Sequence, residues 1–280
     1  MSSKPTSPNG SRPAAAAGHG QAARLAVDGL VAGYGAAPVV QGMSLVADPG
    51  TLVAVIGPNG SGKSTFIKSV MGIVKPAGGT VQLGDAMLQG RRCDQIVRAG
   101  LGYVPQVADV FVNLTVSENL DLGGYLHRDA REERQQYIMA LFPLLRDRFK
   151  QRAGTLSGGE RRLLALARAL MGFPTVILLD EPSAGLAPAM VKALLAHLQV
   201  LRDEAITLVV VEQNVRSVLS IADRAYVMVQ GRSVLEGPAA ELAGDLPELG
   251  RIFMGHGTTG PRRQPPESTG TSTTDEARTI

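Results

Sequence analysis

An octapeptide, Gly57-Pro58-Asn59-Gly60-Ser61-Gly62-Lys63-Ser64, follows the apolar run Thr51–Ile56 and precedes a helix-forming stretch that reaches about Met71. It fits the pattern G-x-x-x-x-G-K-[ST], and a strand before it with a helix behind it is the context this pattern requires. Glycines let the backbone wrap closely, so that successive amides can face phosphate oxygens. The helix N-terminus adds partial positive charge beneath the same oxygens. Lys63 brings a full charge on a mobile stem, and the Ser64 hydroxyl suits Mg²⁺. Thr65 completes this set of nucleotide-binding candidates, so ATP and Mg²⁺ are the expected cofactors.

A second segment matches the first. Val176-Ile177-Leu178-Leu179-Asp180-Glu181 is a buried-type strand that ends in two acids. Asp180, beside the phosphate loop, is expected to hold Mg²⁺ through its water shell. Glu181, one residue on and facing the other way, is placed to polarise an attacking water.

Between and around these segments strands and helices alternate, which predicts an α/β fold. Arg24–Leu30 and Val39–Ala47 carry strand-like alternation, and Thr80–Leu83 and Leu101–Val104 read as short strands. Thr115 to about Phe149 turns helical, opened by Thr115 and Glu118 at capping-box spacing. After Gly159, the helix Glu160–Met171 leads to the strand Thr175–Leu179. A helix over about Ala189–Arg202 then leads to the strand Ile206–Val211, and a hairpin is expected around Gly231-Arg232. No internal repeat is visible, so the chain carries one nucleotide-binding unit.

Leu156-Ser157-Gly158-Gly159-Glu160 supplies a second anion site, two glycines and a serine at a helix N-terminus. One nucleotide does not need two such sites, so this one is expected to serve ATP held by another subunit. A plain helix cap would account for Ser157 but not for the glycine pair.

With these motifs in order, the chain resembles the ABC ATPase family over about Leu25 to Met254. Its Leu156–Glu160 is similar to that family's signature motif. Gln106, in Tyr103-Val104-Pro105-Gln106, resembles the Q-loop, which the resemblance makes a sensor of Mg²⁺ and γ-phosphate and a contact with the membrane subunit. Ser183-Ala184-Gly185-Leu186-Ala187 resembles the D-loop, which crosses between two ATPase subunits. Tyr34 sits where the family places an aromatic on the adenine; such stacking contributes about 0.5–1.5 kcal/mol. The implied architecture is a P-loop NTPase of ABC ATPase type, with an N-terminal antiparallel β subdomain and a helical signature subdomain.

There is one departure. Most of the family has a histidine after the strand that follows the D-loop; here Glu212-Gln213-Asn214 places Gln213 there. An amide can donate to the γ-phosphate but carries no titratable proton. Glu181 and Gln213 are therefore the catalytic candidates. A Val-Glu-Gln-Asn run is similar to one ATPase subunit of branched-chain amino acid importers and of their urea and amide relatives. The resemblance implies a second, non-identical ATPase subunit, integral permease subunits and, indirectly, a substrate-binding protein. It also implies a peripheral position on the cytoplasmic face of the membrane. A soluble ABC ATPase of non-transport type is the rival reading; the chain lacks the duplicated cassette or sustained heptads common in that class.

Composition narrows the rest. No apolar run approaches the roughly 20 residues of a membrane-spanning helix. The lone Cys93 permits no intrachain disulfide, which suits a reducing compartment. The net charge of +3 is spread without a basic stripe, so no nucleic-acid partner is expected. Residues 1–21 read as a disordered leader and 255–280 as a disordered tail. They flank an ATPase domain over 22–254, whose helical subdomain covers about 107–160.

Overall fold

The computed structural model describes residues 22–107 and 110–255. The expected leader lies outside them, as does the expected tail beyond Gly255.

The chain opens with an antiparallel sheet of β1 (Leu25–Ala32), β2 (Val40–Ala47), β4 (Pro76–Leu83) and β5 (Ala86–Met87), in the order β2-β1-β4-β5. Alternate residues of β1 and β2 are buried, as expected for a sheet with one covered face. Between β2 and β4 the chain enters β3 (Leu52–Ile56) and α1 (Lys63–Val70). The short α2 (Cys93–Arg98) leads into β6 (Leu101–Val104).

The second sheet has the order β10-β9-β3-β8-β7-β6, with β7 at Val176–Asp180, β8 at Thr207–Glu212, β9 at Arg224–Val229 and β10 at Arg232–Pro238. All its pairings are parallel except the β9–β10 hairpin. Every residue of β3, β7 and β8 is buried, because helices or the first sheet cover both faces. Three central strands therefore end side by side, and β3 and β7 deliver the phosphate loop and the acidic pair to one edge.

A helical block is inserted between β6 and β7: α3 (Val116–Gly123), α4 (Arg131–Leu141), α5 (Pro143–Asp147) and α6 (Gly158–Leu170). The Thr115/Glu118 capping box is formed, with Glu118 Oε2 accepting the Thr115 amide at 2.7 Å. The helical stretch expected over Thr115–Phe149 breaks at Gly123-Gly124 and at Phe142-Pro143, where Pro143 starts a new helix at its first turn. Tyr137 of α4 donates its hydroxyl to Glu204, at the end of α7 (Pro188–Asp203), which ties the block to the sheet layer. Arg134 donates to Leu170 O at 2.9 Å and lies between the rings of Tyr137 and Phe173. The chain closes with the short helices α8 (Val215–Leu219), α9 (Ala239–Ala243) and α10 (Leu246–Phe253). Among the described residues no helix is long and apolar enough to cross a membrane.

Candidate functional site

The loop from Gly57 to Gly62 carries the chain from β3 into α1. It has room for no side chain at Gly57, where an added Cβ would lie 2.1 Å from Met228 O. Gly60 and Gly62 take left-handed backbone angles of +77° and +101°, which side-chain-bearing residues adopt only at a cost. Gly62 is the N-cap of α1 and offers no side-chain cap, so the first-turn amides of α1 are left for an outside acceptor. Asn59 is exposed, while Ser61 Oγ is buried with no hydrogen-bond partner among the described residues.

Lys63 is buried and donates from Nζ to the carbonyls of Gly57 and Pro58, both at 2.9 Å. Burial pushes its ammonium below the ordinary 10.5, against the opposing pull of Glu181, Asp180 and Glu212. Ser64 Oγ donates to Asp180 Oδ1 at 2.8 Å, and the Tyr103 hydroxyl reaches Oδ2 at 3.5 Å. Asp180 is fully buried, and that burial is the main force raising its carboxyl above the ordinary 3.8, with the charge of Glu181 adding to it. Thr65 is buried in the first turn of α1; its backbone carbonyl accepts from Ser69 Oγ.

Glu181 departs from the strand at a left-handed φ of +47°, with its amide donating to Val211 O at 2.9 Å. Such a backbone position in a non-glycine residue stores about 1–3 kcal/mol of strain. The carboxylate is gripped on both oxygens: Gln106 Nε2 donates to Oε2 and Gln213 Nε2 to Oε1, each at 2.7 Å. Residues from two loops thus converge on one buried carboxylate.

The structure brings together Lys63, Ser64, Gln106, Asp180, Glu181 and Gln213. Tyr34 stands 68% exposed on the β1–β2 connection. No hydrogen bond or ion pair among the described residues joins Ser157, Gly158 or Gly159 to that cluster. Ser157 is the N-cap of α6, and its own amide is already used, donating to Glu160 Oε2 at 2.7 Å. The amides of Gly158 and Gly159 and the hydroxyl hydrogen of Ser157, whose oxygen accepts the Glu160 amide at 3.3 Å, point to the same helix end. A Cβ at Gly158 would meet nothing within 4 Å, so the helix end is open.

Two site residues escaped the sequence reading. Arg162 of α6, buried, donates from Nη1 to Pro105 O at 3.1 Å and to Gln106 O, pinning the backbone of the loop that carries Gln106. Glu212, also buried, accepts the Ser183 amide at 2.8 Å and the Gln213 amide at 3.1 Å, joining the 183–187 loop to the Gln213 segment. Glu212, a charge directly after the apolar run Leu208–Val211, offered a signal; Arg162, beside Glu160 and Arg161, offered none.

The donor set fits Mg²⁺. A hydroxyl and a carboxylate oxygen lie side by side at Ser64 and Asp180. The amide oxygen of Gln106 is a third hard donor, since its nitrogen is the atom bound to Glu181. Mg²⁺ takes few protein ligands and completes its shell with water and phosphate.

Comparison with known proteins points to one family. The family described as ABC transporter matches residues 40–184. The high-affinity branched-chain amino acid transport ATP-binding protein BraG of Pseudomonas aeruginosa is 38% identical over 82% of this chain and 99% of its own length. The probable branched-chain amino acid transport ATP-binding protein LivF of Archaeoglobus fulgidus is 39% identical over 76% and 91%. The lipopolysaccharide export system ATP-binding protein LptB of Escherichia coli is 35% identical over 83% and 98%. Among solved structures, an ABC transporter cassette in its ADP conformation superposes with a TM-score of 0.75 at 28% identity, covering 83% of this chain and 99% of that one.

Proposed function

This chain belongs to the ABC transporter family as an ATP-binding, ATP-hydrolysing subunit, and on that premise we propose that it powers an importer of branched-chain amino acids. The observation that carries the cargo is the 38% and 39% identity to BraG and LivF over nearly their whole lengths. The Glu212-Gln213-Asn214 run supports it. Urea or short amides remain the alternative cargo within the same reading.

The phosphate chain of ATP lies on the amides of Gly57–Thr65, with Lys63 turning from its loop carbonyls onto the phosphate oxygens. Tyr34 covers the adenine. Ser64, Gln106 and Asp180 would hold Mg²⁺, which when bound offsets charge on the β- and γ-phosphates. Glu181 orients and polarises the attacking water. Gln213 spends one amide hydrogen on Glu181 and has a second for the γ-phosphate. Ser157, Gly158 and Gly159 face the nucleotide of a second, non-identical ATPase subunit, so that ATP closes the pair and its hydrolysis reopens it.

Motion leaves through the Gln106 loop and the helical subdomain over about 107–160. There Val107, Phe111, Val112 and Tyr125 are between 51% and 78% exposed. An apolar set of this kind on the outside suits docking by permease subunits at the cytoplasmic face of the membrane. A substrate-binding protein acts only through those subunits, and no nucleic acid takes part.

The test is uptake of labelled leucine and labelled urea by cells lacking the gene. Loss of leucine uptake alone, restored by the wild-type gene but not by Lys63→Ala, is expected. Loss of urea uptake alone would change the cargo and keep the site. Unaltered uptake of both would overturn the importer reading and turn attention to lipopolysaccharide export, the system of the third relative.

A further inference from the structure

The helix that carries Gly158 and Gly159 has an acid in its first turn. Glu160 is the third residue of α6, and its carboxylate is only 12% exposed. Through Oε2 it accepts the Ser157 amide at 2.7 Å, so the charge sits against the same helix end that is to receive a polyphosphate. For the free subunit this arrangement is favourable, since a capping box satisfies two amides and an anion complements the helix dipole. For the nucleotide-bound pair it is adverse. A poorly solvated carboxylate within a turn of an anion site repels the phosphates, and shielding by salt is weak for a partly buried charge.

The other oxygen of Glu160 is not idle. Arg148, at the end of α5, donates from Nη2 to Oε1 at 2.9 Å, and its Nη1 reaches Gln151 Oε1 at 3.3 Å. Its guanidinium thus neutralises the acid from the side away from Ser157 and keeps the carboxylate aimed at that amide.

We propose that Arg148 is a positioning residue for the Gly158–Gly159 phosphate site: by neutralising Glu160 it lets an acid-capped helix accept the nucleotide of the partner subunit. This rests on the proposed reading of Gly158 and Gly159 as that site. In such a pairing Glu160 preorganises the helix end and Arg148 removes the electrostatic cost of doing so. An exposed ion pair would otherwise have little effect on function. Arg148 is itself about two-fifths exposed, and the effect expected here comes from the acid it leaves behind.

The experiment is steady-state ATPase against ATP concentration in the transporter assembled from the full-length chain and its co-expressed subunits. Arg148→Ala should raise the KM for ATP by about three- to tenfold, with a smaller change in kcat. The defect should change little between low and moderate salt, because the charge left on Glu160 is mostly buried and weakly screened. Glu160→Gln in the Arg148→Ala background should bring KM back towards wild type, because the amide still accepts from Ser157 without the charge. Arg148→Lys should stay close to wild type.

A purely structural role for Arg148 does not predict the rescue by Glu160→Gln. An unchanged KM in Arg148→Ala, or a double variant as defective as the single one, overturns the proposal. Gly158→Asp distinguishes the two layers. If it closes on ATP like wild type, the site reading itself fails; if it does not close and the rescue is absent, only the role of Arg148 fails.

Discussion

Nε2 of Gln213 donates to Oε1 of Glu181 at 2.7 Å, across 32 positions of sequence. The amide of Gln106 holds the other oxygen at the same distance, so among the described residues the carboxylate is oriented without any cation in hydrogen-bond contact with it. An amide does this at every pH, whereas an imidazole would titrate in the physiological range. Gln213→Ala should therefore cost about tenfold in kcat, the scale of one lost orienting hydrogen bond, and change ATP binding little. Gln213→His should recover activity and add a fall in kcat below about pH 6.5, where an imidazolium would pair with Glu181 and blunt it as a base. A flat profile for Gln213→His between pH 6 and 8 would remove Gln213 from this role.

Asp180 gives a prediction of opposite sign for stability and for turnover. Burial raises its carboxyl above 3.8. Between 3.8 and the raised value, the folded chain keeps a proton that the unfolded chain has released. Stability therefore falls as pH climbs through that window and stays lower at neutral pH. Asp180→Asn removes the charge and leaves an oxygen for Ser64. Its Tm without nucleotide at pH 7.5 should rise by about 2–4 °C for each kcal/mol regained. That gain should vanish as pH is lowered towards 4, while ATP hydrolysis is lost. A Tm below wild type at pH 7.5 would show that the carboxylate stabilises the fold instead.

Much of this site was legible because its signals are local. The phosphate loop, the apolar β3 and β7 and the acids after Leu179 are each written within a few consecutive residues, and periodicity alone separates them from surface helices. The helix at 158–170 begins two residues before the expected Glu160, because Ser157 is its cap. What was not legible depends on distance in sequence. Arg162 reaches the Gln106 backbone across 56 positions, and nothing in a run of arginines on an amphipathic helix tells which one turns inward. Glu212 looks like the end of a strand until the Ser183 amide is seen to meet it across 29 positions. The short helices α8 to α10 have five to eight residues, too few to show a helical period.

The glycines of the phosphate loop separate by the space around them. At Gly57 an added methyl would meet a backbone carbonyl at 2.1 Å, so β9 or the loop must move. At Gly60 there is open space, and the left-handed angle alone costs about 1–2 kcal/mol. Gly60→Ala should fold with a Tm a few degrees lower and bind ATP no more than about tenfold more weakly. Gly57→Ala should lose ATP binding and a larger part of its stability. Thermal melts and titration with a fluorescent ATP analogue test both; equal effects at the two positions would contradict this account.

Arg162 is the remaining test of how the helical block governs hydrolysis. Its guanidinium is buried, which disfavours the charged form, while Glu212, Asp180 and Glu181 favour it. It therefore does two things from α6: it fixes the carbonyls of Pro105 and Gln106, and it shares with Lys63 the compensation of three buried acids. Arg162→Met keeps the bulk and removes both, leaving two carbonyls unpaired at about 1–3 kcal/mol each. With Gln106 released, Glu181 loses one of its two orienting amides, so kcat should fall by about tenfold or more. The phosphate loop is untouched, so the Kd for ATP should stay within about threefold of wild type. Arg162→Lys, retaining charge and one donor direction, should fall between the two. A variant that lost ATP affinity and kept kcat would place Arg162 with the binding loop instead of with the Gln106 loop.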